Sequence, residues 1–335
     1  MVKPSMIAEL DRAIDTLLRG GAAPAARGAA DGAAGGERLE ALTGVAERLM
    51  VLPSEEFRMK LKAGLAKEAT MSAQAQAGVK RDWIPDGFRT VTAYVIAHPC
   101  AEVIEFLKTA FGAVEKGRYK TPDGKIMHAE VMFADCALEL SDGNEQYPSR
   151  TGYFIITVEN ADETYAKAIA AGATSVYEPT MHPWGDRDGG VRDVGGNFWF
   201  ITTRRVSEHS PADQPTVITN VNARGAAKLI EFWKAAFGAE DFFRHDAPDG
   251  TVLHARVKFG DTYITVGEPR HQWPSNPIAL HMYVPDVDAA YARAVAAGAQ
   301  GVMPPEDKPY GERSGEVRDP AGNQWFLATA KPARR

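Results

Sequence analysis

The stretch WGDRDGGVRDVGGNFWFITT (184–203) returns 126 residues later as YGERSGEVRDPAGNQWFLAT (310–329). Outward from this pair, the same offset matches IEF (104–106) with IEF (230–232) and AFGA (110–113) with AFGA (236–239). PDG (122–124) meets PDG (248–250), His128-Ala129 meets His254-Ala255, and AAGA (170–173) meets AAGA (296–299). Residues 91–203 thus align with 217–329 without a gap. A register that never slips over such a span marks a duplicated folding unit.

Each copy has its own rhythm. TVTAYVIA (90–97) alternates as a strand, and AEVIEFLKTAFGA (101–113) carries helical spacing that stops at Gly112, a helix C-terminal glycine. MHAEVMF (127–133) and CALELS (136–141) read as strands about a tight turn at Ala134-Asp135. GYFIITV (152–158) restarts the order, and Asn160 is the expected N-cap of ADETYAKAIAAG (161–172). GGVRDV and FWFITT then close the copy around Val-Gly-Gly-Asn. The module is strand, helix, three strands, and the chain holds four, two per repeat.

The 335 residues suit two or three domains. With 44% hydrophobic and 24% charged residues and a mean hydropathy of -0.28, the chain is neither wholly disordered nor collagen-like nor built of membrane spans. A net charge of -6 gives no electrostatic reason to bind nucleic acid or an anionic membrane. Cys100 and Cys136 stand outside any CxxC pattern, which argues against a disulfide framework or cysteine zinc site and for a reducing, cytoplasmic setting. The first residues, MVKPSMIAELDRAIDTLLRG, contain no long apolar run, so no export or membrane segment is expected.

Residues 1–71 read as a helical N-terminal segment: Ile7, Leu10, Ile14 and Leu17 keep helical spacing, as do Leu39, Leu42, Val45 and Leu49. Between them GGAAPAARGAADGAAGG (20–36) reads as a flexible linker, and Pro53-Ser54-Glu55-Glu56 as a fresh helix start. Residues 1–80 carry 11 basic against 10 acidic residues, so docking or dimerisation suits them better than DNA binding. The organisation expected is helical segment 1–71, linker 72–88, first domain 89–205, linker 206–215 and second domain 216–331.

The order of elements, with GFRTVTAYV (87–95), IEFLKTAFGA (104–113), PDGKIMHAE (122–130), DVDAAYARAVAAGA (286–299) and the WGDR and YGER segments, resembles the vicinal oxygen chelate superfamily. That superfamily includes glyoxalases, bleomycin-resistance proteins and extradiol dioxygenases, and within it the chain is most similar to the PhnB-like branch. The resemblance covers residues 87–330. It implies an α+β fold of tandem domains, each with two βαβββ modules forming a curved, grooved mixed sheet. The groove holds either a divalent metal with substrate or an intact small molecule.

Strand alternation sorts the lining residues without help from the family. Met127, Ala129, Val131 and Phe133 form an apolar face and leave His128, Glu130 and Met132 opposite; Leu253, Ala255, Val257 and Phe259 likewise leave His254, Arg256 and Lys258. Glu139 opposes Leu138 and Leu140, Thr265 opposes Ile264 and Val266, and His281 and Tyr283 oppose Leu280 and Met282. Tyr94, Tyr153, Tyr263, Tyr283, Phe200 and Phe326 are expected as aromatic walls for a planar ligand, with Asn220 as a polar member of the second groove. Arg192 and Arg318 suit either a ligand carboxylate or phosphate or a structural bridge to Asp186 or Glu312. Trp199 and Trp325 fall on the core parity.

The superfamily's metal-ligand positions translate to Thr92, Glu139, Tyr153 and Phe200 in the first repeat and to Ile218, Thr265, Ala279 and Phe326 in the second. One ligand type in eight positions survives, so no metal and no other cofactor is expected. The expected function is binding of a small organic molecule as a monomer or homodimer. The alternative is an enzyme, a glyoxalase-like lyase, an epimerase or a dioxygenase, using Glu139 as general base, with His128, or a rearranged divalent-metal site of His128 with Glu139 or His254 with His281. For Glu139 the sequence offers a setting of Phe198, Phe200 and Tyr153 or an ion pair with Arg192. Cys100, just before a helix and near His98, is the one candidate thiol nucleophile.

Overall fold

The computed structural model describes residues 81–330 except 184, 205–210 and 212. The helical segment expected over 1–71, its linker 20–36 and most of 206–215 lie outside the described residues. The first module is β1 (Val91–Ala97), α1 (Cys100–Phe111), β2 (Val114–Lys120), β3 (Ile126–Met132) and β4 (Ala137–Asp142). The second is β5 (Tyr153–Thr157), α2 (Ala161–Ala170), β6 (Thr174–Met181), β7 (Arg187–Arg192) and β8 (Phe198–Thr203). The third is β9 (Val217–Asn222), α3 (Ala226–Phe237), β10 (Glu240–Asp246), β11 (Val252–Phe259) and β12 (Thr262–Gly267). The fourth is β13 (Ala279–Tyr283), α4 (Val287–Ala296), β14 (Gln300–Asp307), β15 (Glu312–Arg318) and β16 (Gln324–Ala330). Among the described residues no helix is long and apolar enough to cross a membrane.

Local chemistry sets the helix ends. Gly112 and Gly238 close α1 and α3 at φ 68° and 67°, a left-handed geometry that glycine adopts without a side-chain clash. Asn160 and Asp286 accept the Glu163 and Ala289 N–H groups and so cap α2 and α4. The Val-Arg-Asp turns that anchor the sequence repeat are structural. Buried Asp193 takes the Trp199 Nε1–H at 2.9 Å and the Asn197 amide, and Asp319 does the same for Trp325 at 3.0 Å and Asn323.

The modules assemble into two mixed eight-stranded sheets. Sheet I runs β14-β15-β16-β13-β1-β4-β3-β2, and sheet II runs β10-β11-β12-β9-β5-β8-β7-β6. Each sheet takes two modules, as expected, but one comes from each repeat. Modules one and four share sheet I through antiparallel β1 and β13, where Thr92 faces His281 in register. Modules two and three share sheet II through β5 and β9, where Ile155 faces Ile218.

The hydrophobic cores are divided the other way. One core gathers Ile104, Leu107, Leu140, Phe154, Trp199 and Ile201 from modules one and two; the other gathers Ile230, Trp233, Phe259, Leu280, Trp325 and Leu327 from modules three and four. The repeat is therefore the unit of the core, and the sheet, with its groove, is shared between repeats. The seam is clamped by symmetry-related aspartates. Asp261 accepts from the Thr90 N–H and hydroxyl at 2.8 and 2.7 Å, while Asp135 accepts from the Thr216 N–H at 3.0 Å.

One strand face differs from strict alternation. Met127 is 60% exposed and Leu253 only half-buried, while Ile126 and Val252 enter the cores. A register shift opposite Tyr119/Lys120, matched at His245/Asp246, rotates the strand start by one residue, as an extra residue in an antiparallel pair does. Beyond it, Ala129 and Val131 are in the core as expected.

Candidate functional site

The face of sheet I opposite the helices is a groove built from both repeats. In β4, Leu138 and Leu140 go to the core and Glu139 to the other side; in β13, Leu280 and Met282 do the same for His281. Because β1 lies between β4 and β13, Glu139 and His281 meet across it. His281 Nδ1 lies 2.9 and 2.8 Å from the two Glu139 carboxylate oxygens, and both residues are buried. His281 Nε2 is buried, has no hydrogen-bond partner among the described residues, and lies 3.9 Å from the Glu312 carboxylate. Tyr283 stacks on the imidazole at 4.4 Å and donates its hydroxyl to Glu312 at 3.1 Å.

Next to this pair, His128 makes contacts of 3.3 Å with both the Tyr94 hydroxyl and Glu130. Tyr94 and Phe326 pack at 5.2 Å, and Tyr147 reaches over from the 143–152 loop to Phe326 at 5.9 Å while donating to Glu316 at 2.9 Å. Electrostatics follow the carboxylates. Burial works against the charged form of His281, but Glu139, Glu312 and Glu130 together outweigh it, and the imidazole pKa is raised. Burial and then Glu139 push the Tyr94 and Tyr283 phenols up. Tyr147 is pushed up to about 12 by burial and its bond to Glu316. The hydrogen bond from His128 holds Glu130 below the usual carboxylate range.

Sheet II presents a different groove at equivalent positions. Glu130 becomes buried Arg256, Glu139 becomes Thr265, His281 becomes Ile155, and Tyr94 becomes Asn220, whose side chain accepts the Thr265 hydroxyl at 2.8 Å. Gly190 stands where Glu316 stands in sheet I; a Cβ there would lie 2.5 Å from the Tyr177 ring, which occupies that space. Trp273 replaces Tyr147 and packs edge-on against Phe200, Phe198 and Tyr153 at 5.2, 5.6 and 6.0 Å. His254, between arginines, is pushed down to about 4 by burial and then by Arg256, Arg204 and Arg270. Burial and Arg204 bring Arg256 down to about 10. Tyr263 donates to Asp213 at 2.9 Å and lies under Lys258.

These placements correct several expectations. Glu139 is not bounded by Phe198, Phe200 and Tyr153, which line sheet II, and its partner is His281 rather than Arg192. Arg192 is exposed, over the Phe198 ring and near the Gly196 carbonyl. The pairing of His254 with His281 is ruled out because they belong to different sheets, and His128 engages Glu130, not Glu139. Arg318, at the C-terminal end of β15, is half-buried, and its charge acts on Glu316. The arginines of the GDR and GER triplets, Arg187 and Arg313, bridge Asp162 and Asp288. Cys100 is fully buried, with its thiol pushed up to about 12 by burial and then Asp142, so it is no nucleophile; His98 contacts Asp142 at 3.1 Å.

Shared sheets also regroup the superfamily's ligand positions. Sheet I offers Thr92, Glu139, Ala279 and Phe326, and sheet II Ile218, Thr265, Tyr153 and Phe200, donor sets that do not fit a divalent metal. Among the described residues no group of three or more His, Cys, Asp or Glu is arranged to hold a metal ion. Sequence reasoning missed Glu312, Glu316, Tyr147 and Trp273 as groove residues. For the last two the signal available in the sequence was the repeat, which sets QYPS (146–149) against QWPS (272–275).

Fold and grooves define a two-repeat protein built on two mixed sheets, each shared between the repeats. Residues 93–201 match the model of the Glyoxalase/Bleomycin resistance protein/Dioxygenase superfamily, and 218–328 match that of the Glyoxalase-like domain. The chain belongs to this superfamily, with two of its domains in tandem. An uncharacterized protein of Mycobacterium bovis is 32% identical over 125 residues, 34% of this chain and 82% of that protein. An uncharacterized Mycobacterium tuberculosis H37Rv protein matches at the same identity over 74% of its length. Glyoxalase I from Zea mays superposes with a TM-score of 0.56 at 17% identity, over 72% of this chain and 92% of that one, a likeness of fold.

Proposed function

We propose that this chain is a PhnB-like, cytoplasmic small-molecule-binding protein whose principal site is the sheet I groove, and that it binds its ligand without a divalent metal. The observation that carries the reading is the convergence of Tyr94, His128, Glu130 and Glu139 from one repeat with His281 and Glu312 from the other, beside the aromatic wall of Phe326 and Tyr147. A few polar groups set in an aromatic-lined concavity are the usual makeup of a small-ligand site.

Native mass spectrometry of gently purified protein, without chelator and beside a denatured control, tests this reading. An organic adduct that Phe326→Ala diminishes supports it; stoichiometric divalent metal overturns the metal-free part. The Glu139–His281 pair favours a second reading, proton-transfer catalysis on the same ligand, since a carboxylate-held imidazole is a competent acid or base. Once a ligand is in hand, Glu139→Gln separates the two: turnover that falls while binding persists supports catalysis.

A further inference from the structure

The repeat reverses charge between the two sheets. At matched positions Glu130, Asn144 and Ala330 on the sheet I side give way to Arg256, Arg270 and Arg204 on the sheet II side, while Glu139 and Glu316 give way to Thr265 and Gly190. The three arginines converge on His254, and all three act on its imidazole. Arg256 stands two residues further along β11, on the same face, and Arg270 Nη2 lies 3.5 Å from the Leu253 carbonyl, next to His254 in the chain. Arg204 donates to Gln214 at 2.6 Å. Of the acids nearby, Asp186 acts on Arg204 and Arg256, and Asp188 takes His182 at 2.8 Å and the Tyr177 hydroxyl at 3.1 Å. The aromatic half of the groove belongs to the same loop as Arg270. Arg270 and Trp273 exchange backbone hydrogen bonds at 2.9 Å, so one tight turn sends a cation toward His254 and an indole onto Phe198 and Phe200. This surface is reachable: His254, Phe198, Phe200 and Trp273 are only half-buried and Arg270 is exposed. Arg270 also lines an open cavity of about 670 Å³ with Arg224, His271 and Glu268, whose carboxylate takes the Ala226 N–H at 2.8 Å.

We propose that sheet II is a second ligand site and that it takes an aromatic carboxylate, whose charged group meets the Arg270 guanidinium beside His254, in the field of Arg256 and Arg204, and whose ring lies against Trp273 and Phe200. The sign of the ligand follows from the cluster. A cation would add to three guanidinium groups, whereas an anion offsets their mutual repulsion, which already joins burial in pushing Arg256 down to about 10. The carboxylate follows from guanidinium geometry, since parallel N–H groups match a planar pair of oxygens. The ring follows from the half-buried aromatic surface that the Arg270 turn itself supplies. This site goes beyond the sheet I reading: the chain carries two grooves of opposite charge and so two different ligand preferences.

The test titrates 2-naphthoate, 2-naphthalenemethanol, 2-naphthylmethylammonium and acetate separately into the full chain labelled with 15N-histidine, following the ring nitrogens by NMR. Naphthoate is expected to shift His254 and to bind at least about tenfold more tightly than the neutral alcohol. The ammonium compound should bind more weakly than the alcohol, and acetate, which has the charge without the ring, at least about tenfold more weakly than naphthoate. Arg270→Gln, at an exposed position, should weaken naphthoate about tenfold and leave the alcohol within about twofold. Alcohol, ammonium or acetate binding as tightly as naphthoate overturns the proposal. So does an Arg270→Gln variant that binds naphthoate like wild type, or naphthoate that moves His128 and His281 of sheet I while His254 stays still. None of these results touches the sheet I reading, which the organic adduct and its loss in Phe326→Ala decide.

Discussion

The two grooves are one scaffold lined in two ways. Sheet I sets Glu130, Glu139 and Glu316 where sheet II sets Arg256, Thr265 and Gly190, and it holds an imidazole where sheet II holds Ile155. The core positions between them barely change: Leu138 and Leu140 against Ile264 and Val266, Trp199 against Trp325. One strand therefore obeys two constraints. Its inward residues must fill a close-packed core, while its outward ones are free to diverge in charge. In sheet I the histidine is pushed toward its charged form by carboxylates, whereas in sheet II His254 is pushed away from it by arginines.

The sharpest way to break this contrast is to remove the counter-charge. Glu139→Ala leaves His281 buried and unpaired and should cost about 3–5 kcal/mol in urea unfolding, whereas Thr265→Ala at the equivalent position should cost about 1 kcal/mol. Equal losses would mean that the pair is not coupled.

The second effect is opposite pH dependence. His254 has a folded value of about 4 against an unfolded value near 6.5, so its contribution is present above about 6.5 and is lost as pH falls toward 4. Wild type should lose roughly 2–3 kcal/mol in that window relative to His254→Gln. His281 is raised, so its contribution is complete below its unfolded value near 6.5 and is lost as pH rises through the folded one. The stability gap between wild type and His281→Gln should narrow on the alkaline side. Urea midpoints across pH for the two variants decide both signs.

The loop aromatics come next. Trp273 packs on three rings and Tyr147 on one, so Trp273→Ala should cost about 2–3 kcal/mol and Tyr147→Ala about 1 kcal/mol in the same unfolding measurement. The smallest effect tests the strand start. Met127→Ser should stay within about 0.5 kcal/mol of wild type, while Ile126→Ala should cost about 2–4 kcal/mol. A large loss at Met127 would restore strict alternation.

Much of the site was legible by parity. His128, Glu139, His281, Tyr94 and Phe326 follow from two-residue alternation beside strongly apolar neighbours. Glu312 did not, because its strand carries ERSGEVR, with too few apolar residues to assign a face. VEKGRYK in β2 was illegible as a strand for the same reason. Tyr147 and Trp273 lie in loops, where no periodicity exists.

The sequence by itself determined the repeat, the four modules, the apolar face of most elements and the superfamily. Those follow from local spacing and from motifs such as the Asp193 and Asp319 turns, whose bonds close within a few residues. Only the tertiary structure decided that Glu139 meets His281, 142 positions away, because that depends on β1 pairing with β13. Backbone ladders use the same N–H and C=O groups at every edge and carry no side-chain label, so periodicity marks a strand's inner face without naming its neighbour. Packing of each repeat's helices into its own core, with the seam clamped by Asp135 and Asp261, set that choice and with it the composition of both grooves.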